Sequence, residues 1–163
     1  MSTPSSYPDC PFCEIVRRLN SPETKSHPYD EESTTHIVLS NPFAVAFLDR
    51  LPLTKCHTLI IPKKHYELLS DIPALEAAEL GRVLPLVSRA VMKISGADAF
   101  NVVQNNGIHS WDLVDVGISA GQVVPHAHFH VVPRYREYSS ATMFGFPILV
   151  KANGRERTKG GVG

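Results

Sequence analysis

Apolar residues along this chain follow two different spacings, and each spacing predicts a type of element. A step of three to four residues predicts a short helix over residues 11–20 and a long amphipathic helix over residues 71–95. Pro85 lies inside the second pattern and is expected to kink or divide that helix, because proline lacks the N–H group that a helix interior uses. Runs of β-branched and aromatic residues, bounded by turn residues, predict strands in the rest of the chain.

The predicted strands form an antiparallel sheet. They cover residues 36–40, 43–49, 58–61, 99–104 and 123–133. The first two are joined across Asn41-Pro42 and read as a hairpin, and the turn signal Asn105-Asn106-Gly107 follows the fourth. The order of elements lacks the regular strand-helix alternation of a parallel sheet. The expected fold is therefore α+β, with an antiparallel sheet of about five strands, one short helix and one long helix.

The length of 163 residues suits one domain, which we expect over residues 10–150, with a flexible leader at 1–9 and a flexible basic tail at 151–163. Basic and acidic residues number 16 each, so there is no overall positive charge to attract a long nucleic acid. No apolar run is long enough for a membrane span, and no secretory signal is visible, so we expect a cytoplasmic or nuclear protein. In such a compartment, the pair Cys10 and Cys13 is a better metal or redox pair than a disulfide.

Three histidines alternate in the last predicted strand, at His126, His128 and His130. In a strand they would share one face, about 6 to 7 Å apart, while Ala127 and its neighbours Phe129 and Val131 would face the core. Packing gives no reason to repeat imidazole on an exposed face. Two kinds of chemistry use such a set: metal ligation, and transfer of a phosphoryl or acyl group through a histidine nucleophile. The spacing leaves both open.

The segment from Gly121 through His126-Ala127-His128-Phe129-His130 to Val132 resembles the signature of the histidine triad (HIT) superfamily. The likeness runs from Cys10 to Arg134 and includes Phe47-Leu48-Asp49 and the segment 57–65. Within the superfamily the chain is most similar to the Hint-like nucleoside phosphoramidases. The resemblance implies an enzyme that hydrolyses purine nucleoside 5′-phosphoramidates, such as AMP linked to an amine, with no catalytic metal.

The resemblance also implies roles for individual residues. His128 would attack the α-phosphorus and form a nucleotidyl-histidine intermediate, and His130 would contact the phosphate and help place the leaving group. Asn105 and the backbone N–H of Val123 would line the phosphate site, and Asp49 would accept hydrogen bonds from the ribose. The residues expected to enclose the base are Phe12, Ile15, Phe47, Leu48 and Leu59.

Many HIT proteins carry a structural zinc, and here the implied ligands are Cys10, Cys13, His57 and His126. Such a site would clip the N-terminal segment to the sheet. The resemblance further suggests a homodimer that uses the long helix and a strand edge.

Three positions depart from the family pattern. Cys56 stands where glycine is common, Val123 replaces a usual Ser or Thr, and the segment 108–120 is longer than usual. The alternative functions are a dinucleoside polyphosphate hydrolase or nucleotidyl transferase, a nucleotide-binding interaction module with incidental hydrolysis, and a metal-dependent hydrolase whose ligands are the three histidines.

Overall fold

The computed structural model describes residues 9–20, 35–107 and 120–136, and the backbone of two further strands at 138–143 and 146–151. The predicted leader, the segment 108–119 and the tail beyond residue 151 lie outside the described residues, apart from Asp9. No helix in the described part of the chain has both the length and the apolar character needed to cross a membrane.

A five-stranded antiparallel sheet forms the centre of the fold, as predicted. Its strands, in chain order, are β1 (Ile37–Ser40), β2 (Ala44–Leu48), β3 (Thr58–Pro62), β4 (Ala99–Gln104) and β5 (Phe129–Arg134). They lie side by side in the order β1-β2-β3-β5-β4, and each neighbouring pair is antiparallel. The predicted α+β class is confirmed.

Two helices accompany the sheet at the predicted places, α1 (Pro11–Asn20) and α2 (Ala74–Ser95). Helix α2 begins after Pro73 and ends at Gly96, whose left-handed φ of 67° suits a residue without a Cβ. Pro85 lies within α2 without dividing it, so a division of that helix was a wrong expectation. Pro85 has no N–H to donate to the carbonyl oxygen of Gly81, one helical turn earlier. Both residues are exposed, so water can donate to that carbonyl instead.

The two faces of the sheet bury different cores. On one face, Ala44, Ala46 and Ile60 pack with α2 residues such as Leu80 and Val83. On the opposite face, the intervening residues of β2 and β3 pack with α1. That second set consists of Val45, Phe47, Leu59 and Ile61 with Cys10, Phe12 and Val16. Successive strand residues point to opposite faces, so the sheet separates a purely structural core from the face that carries α1.

The last predicted strand is shorter than expected. Strand β5 begins at Phe129, whereas residues 123–128 have irregular backbone. His126 and His128 therefore precede the strand, and the prediction that three histidines share one strand face was wrong. The expected core residues Ala127 and Val131 are fully buried, and Phe129 packs against the same core.

A second, two-stranded sheet follows, which the sequence analysis did not predict. It pairs β6 (Tyr138–Met143) with β7 (Phe146–Lys151) in antiparallel register. Its first strand is rich in serine and small residues, which gives little alternation to detect.

Candidate functional site

The irregular backbone before β5 sends the triad histidines in two directions. The rings of His128 and His130 lie close together, with centroids 4.8 Å apart. The ring of His126 instead lies against His65, at 4.9 Å between centroids. Among the described residues, no group of converging ligands contains all three triad histidines. The geometry thus gives no support to the alternative in which the three bind one catalytic metal.

His128 is buried, and its orientation is fixed by the backbone. Its Nδ1 lies 2.7 Å from the carbonyl oxygen of His126, so Nδ1 carries the proton and donates it to that carbonyl. The proton-free nitrogen is then Nε2. Burial lowers the pKa of His128 below its usual value, although the bond to the His126 carbonyl acts in the opposite direction. A neutral imidazole with one fixed lone pair is the form that a nucleophilic histidine requires.

His128 and His130 line a cleft of about 790 Å³ between α1 and the sheet. Most residues expected to bind a nucleotide line this cleft. They are Phe12, Ile15, Phe47, Asp49, Leu59 and Val123. Val123 stands at the rim and is 80% exposed. The cleft thus combines an apolar wall, a carboxylate and two imidazoles.

Two predicted binding residues do not line the cleft. Leu48 follows Phe47 in β2, so strand alternation turns it to the other face of the sheet. Asn105 is buried, and its amide donates a hydrogen bond to the carbonyl oxygen of Gly121 at 3.4 Å. Asn105 therefore supports the segment that leads to Val123 and does not itself face the cleft.

His57 links the carboxylate to the second imidazole of the cleft. Its Nδ1 lies 3.2 Å from Oδ2 of Asp49, and its Nε2 lies 3.0 Å from Nδ1 of His130. Burial is the main cause that lowers the pKa of His57, with Asp49 opposing it. Burial and the neighbouring histidines lower the pKa of His130 to about 3. Both rings are therefore neutral near pH 7.

A separate cluster of four ligands lies beside the cleft. Cys10, Cys13, His65 and His126 present sulfur and nitrogen atoms that all lie within 4.8 Å of one another. The predicted ligand set contained His57 in place of His65. The structure corrects that one member, because His57 is engaged with Asp49 and His130. Nothing near His65 in the sequence indicated its partners, since Cys13 and His126 are each more than 50 residues away.

The spacing of the four donors fits a tetrahedral zinc ion. Sγ of Cys13 lies 3.2 Å from Nδ1 of His65 and 3.7 Å from Nδ1 of His126, and Sγ of Cys10 lies 3.5 Å from the latter nitrogen. Zinc bonds of the usual lengths would separate such atoms by about 3.3 to 3.8 Å. Nε2 of His126 lies 3.0 Å from the carbonyl oxygen of Pro62, which leaves Nδ1 for a metal. Burial raises the pKa of the Cys13 thiol to about 12, so a thiolate there needs a cation beside it.

Gln122 is a site-supporting residue that the sequence analysis missed. Its side chain is fully buried and makes three hydrogen bonds. It donates to the carbonyl oxygens of Glu67 and Val124, and accepts from the backbone N–H of Gly107. These bonds hold the segment 121–125 at the edge of the cleft.

Comparison with known proteins gives the geometry a family context. The family model of the HIT domain matches residues 30–137. The chain is 36% identical over 126 residues to the adenylylsulfatase HINT3 of Arabidopsis thaliana, covering 77% of this chain and 52% of the relative. It is 32% identical over 148 residues to the adenosine 5′-monophosphoramidase HNT1 of Saccharomyces cerevisiae, covering 90% of this chain and 76% of the relative. The chain therefore spans about half the length of the plant relative and most of the yeast one.

Solved structures with the same fold include the SMU.412c protein of Streptococcus mutans UA159. That likeness has a TM-score of 0.64 and 31% sequence identity, and covers 88% of this chain and 78% of the other. A HIT family protein from Bacillus anthracis gives a TM-score of 0.61 with 28% identity, over 83% of this chain and 82% of the other.

Proposed function

The chain belongs to the histidine triad (HIT) domain family, and on that premise we propose that it hydrolyses purine nucleoside 5′-phosphoramidates and releases the nucleoside monophosphate. The single observation that carries the proposal is the fixed tautomer of His128 in the wall of the cleft, with Nδ1 held 2.7 Å from the His126 carbonyl oxygen. The names of the yeast and plant relatives support the reaction class, since one is an adenosine 5′-monophosphoramidase and the other an adenylylsulfatase.

The proposed reaction has two steps at phosphorus. Nε2 of His128 attacks the α-phosphorus, a P–N bond to His128 forms, and the P–N bond to the amine breaks as the amine takes up a proton. His130, whose ring is adjacent to His128, is placed to pass a proton from solvent to the amine, and the attacking water of the second step returns one proton to solvent. Water then attacks phosphorus, the bond to His128 breaks, and the monophosphate leaves. The neutral state of His128 near pH 7 leaves its lone pair available for the first step.

The remaining residues of the cleft account for the nucleoside. Phe12, Ile15, Phe47 and Leu59 form an apolar wall for the flat base. The Asp49 carboxylate can accept two hydroxyl protons of the ribose. The backbone N–H of Val123, at the rim of the cleft, would donate to the phosphate, while Asn105 would act indirectly through its hydrogen bond to Gly121.

The test is a quenched reaction with an adenosine phosphoramidate, followed by mass spectrometry of the peptides. We expect an adenylyl group on His128, and loss of both adduct and turnover in His128→Ala. The control is His36→Ala, since His36 is exposed and does not line the cleft. Turnover by His128→Ala at the parent rate would overturn the mechanism.

The leaving group is decided by comparing substrates. Adenosine phosphoramidates, adenylyl sulfate and diadenosine polyphosphates share the proposed attack on phosphorus and differ in what departs. We expect the highest kcat/KM for the phosphoramidate. A strong preference for the dinucleotides would assign the protein to the alternative class of dinucleoside polyphosphate hydrolases, and tight AMP binding with negligible turnover would favour an interaction module.

We also propose a structural zinc held by Cys10, Cys13, His65 and His126. Two sulfurs and two nitrogens complete a closed tetrahedral shell, so this metal would hold α1 against the sheet and would take no part in the reaction. Reduced thiols suit the cytoplasm or nucleus, where we place the protein.

The homodimer belongs to the same proposal, with the second copy bound at the β4 edge. Within the described residues β4 has one strand neighbour, β5, and exposes Phe100 and Val102 beside an apolar groove on α2. An antiparallel pairing of two β4 edges would satisfy the open backbone of both copies. Sedimentation should give a dimer for the parent and a monomer for Val102→Glu. The control Ile37→Glu, on the opposite edge strand, should remain dimeric; a monomeric parent would overturn the assignment.

A further inference from the structure

A second group of converging metal-binding side chains lies inside the cleft itself. Asp49, His57 and His130 each offer one ligand atom, and the three atoms all lie within 4.8 Å of one another. All three residues line the cleft. The group shares no residue with the cluster of Cys10, Cys13, His65 and His126, so the chain has room for two separate ions.

The distances inside this group are those expected between ligands of one ion. Nε2 of His57 lies 3.0 Å from Nδ1 of His130, and Nδ1 of His57 lies 3.2 Å from Oδ2 of Asp49. Two metal bonds of about 2.1 Å that meet at a right angle place their ligand atoms about 3.0 Å apart. One ion can use only one nitrogen of His57, so the third ligand approaches by rotation of its side chain, within the 4.8 Å spread of the group.

The backbone holds the three side chains in place before an ion binds. His57 is only 2% exposed and directly precedes β3. The N–H of Leu51 donates to Oδ1 of Asp49 at 2.9 Å, which orients the carboxylate. His130 belongs to β5 and is paired there with Leu59 of β3. Ligands fixed in this way on packed strands lose little freedom when they close around an ion.

Metal binding also requires proton-free ring nitrogens, which neutral imidazoles supply. The N–H of Leu53 donates to Nδ1 of His57 at 3.2 Å, so Nε2–H of His57 donates to Nδ1 of His130 in the metal-free protein. An ion would replace an N–H group as the partner of one lone pair on each ring. Each ring keeps the single proton that a neutral imidazole carries, so binding releases no proton from either of them.

The donor set selects the class of ion. Two imidazole nitrogens and one carboxylate oxygen suit divalent first-row transition metals that keep open coordination positions, whereas Mg²⁺ and Ca²⁺ prefer oxygen ligands. Asp49 offsets one of the two positive charges, and Arg134, whose charge acts on His57, opposes the ion. With three ligands and no sulfur, this site should bind more weakly than the cysteine cluster and release its ion on dialysis.

We propose that Asp49, His57 and His130 form a reversible site for a divalent first-row transition-metal ion, and that this ion excludes the nucleoside from the cleft. The ion and the ribose would compete for the same carboxylate, because an oxygen bonded to a metal has fewer lone pairs left for hydroxyl groups. The ion would also occupy the His130 nitrogen beside the phosphate position. The exclusion rests on the proposed function, whereas the metal site does not.

Calorimetric titration of CoCl₂ into the zinc-saturated and then dialysed protein tests the site. We expect one Co²⁺ per chain, bound about 100-fold more weakly in Asp49→Asn and in His57→Gln, since even the loss of an outer-shell partner can cost that much. The control His36→Gln changes an exposed histidine and should keep the parental affinity. Parental Co²⁺ affinity in either ligand variant would overturn the site, and so would a parent protein that binds no Co²⁺.

Competition with adenosine tests the exclusion. Adenosine carries the ribose hydroxyls and lacks a phosphate that could itself bind Co²⁺. At ten times its Kd, adenosine should weaken apparent Co²⁺ binding to the parent about tenfold by mass action. In turnover of an adenosine phosphoramidate, Co²⁺ should raise KM and leave kcat unchanged. Co²⁺ affinity that is insensitive to adenosine, or turnover that Co²⁺ accelerates, would overturn the exclusion.

The metal site and the proposed function fail in different ways. Co²⁺ binding is measured without any turnover, so the site is supported or overturned by calorimetry alone. A protein that binds Co²⁺ through Asp49 and His57 but forms no nucleotide adduct on His128 would support the site and overturn the proposed function.

Discussion

The carbonyl oxygen of His126 accepts a hydrogen bond from Nδ1 of His128, across 2.7 Å. One residue thereby serves two sites, since the side chain of His126 belongs to the cysteine cluster and its backbone orients the proposed nucleophile. Phe12 adds a second connection, because it lies between Cys10 and Cys13 in the chain and packs edge-on against both histidine rings. The cluster and the cleft are therefore mechanically connected.

Replacing His65 tests the corrected ligand set. We expect His65→Asn to lose bound zinc, because it removes one of four converging donors, and His57→Asn to retain it. Zinc per protein, measured by atomic emission after exhaustive dialysis, gives the comparison. Retention by His65→Asn together with loss from His57→Asn would restore the ligand set expected from the sequence.

Phe12→Ala should weaken both the fold and nucleotide binding. The ring is buried and lies 5.6 Å from that of Phe47 and 5.3 Å from that of His128. Removing a buried phenylalanine costs about 3 kcal/mol of unfolding free energy. Loss of the aromatic wall should weaken AMP binding about tenfold, corresponding to an interaction of about 1.4 kcal/mol.

Urea unfolding and AMP titration measure the two effects of Phe12→Ala. The control is Leu75→Ala in α2, where the side chain is 70% exposed and away from the cleft. We expect that variant to change unfolding free energy by less than about 0.5 kcal/mol. Equal AMP affinity in Phe12→Ala and the parent would remove Phe12 from the binding wall.

The conformation of Cys56 predicts an unusual response to glycine. Cys56 has a φ of 64°, in the left-handed region that disfavours residues with a Cβ. Cys56→Gly should therefore be more stable than Cys56→Ala by about 1 kcal/mol in urea unfolding. At Ala78, an exposed position inside α2, the change from Ala to Gly should lower stability by about 1 kcal/mol. We therefore expect glycine to be more stable than alanine at position 56 and less stable than alanine at position 78.

Acid should destabilise the protein through its buried neutral histidines. Burial lowers the pKa of His57, and lowers that of His130 to about 3. In the unfolded chain these rings bind protons below about pH 6.5. Between pH 6.5 and the lower pKa values of the folded protein, the unfolded state therefore binds more protons than the folded state. Stability therefore falls as pH falls through this window, by up to about 1.4 kcal/mol per pH unit for each such ring.

Urea unfolding at pH 7, 6 and 5 measures that slope. His130→Asn should make the dependence on pH shallower, because one buried ring no longer resists protonation. The exposed His36 supplies the control, and His36→Asn should leave the slope as in the parent. If unfolding free energy had the same pH dependence in the parent and both variants, His130 would not contribute to the acid sensitivity.

Local patterns predicted most of the fold, because the helices bury side chains at a regular spacing and strands β2 and β3 are short apolar runs buried at almost every position. The bounds of β4 and α1 agree with the pattern, since both end at strong breakers. The start of β5 was predicted too early because histidine and apolar residues already alternate before Phe129. The backbone there makes hydrogen bonds outside the sheet, such as that from the N–H of Ala127 to the carbonyl oxygen of Tyr66.

The site was predicted less completely, because its decisive contacts join distant parts of the chain. Strand alternation alone could have predicted that Leu48 faces away from the cleft, because it follows Phe47 in the same strand. The exchange of His57 and His65 could not be read from spacing, since both lie close to the ends of β3 and are chemically equal candidates. Only the packed sheet shows which end faces the cysteines.

The division of β2 and β3 between two faces has an evolutionary consequence. Side chains that would meet a substrate occupy alternate positions, and those that secure the long helix occupy the positions between them. Mutations at the substrate-side positions leave the packing of the long helix unchanged, so lineages built on this sheet can diversify in what they cleave while one of its two cores stays intact.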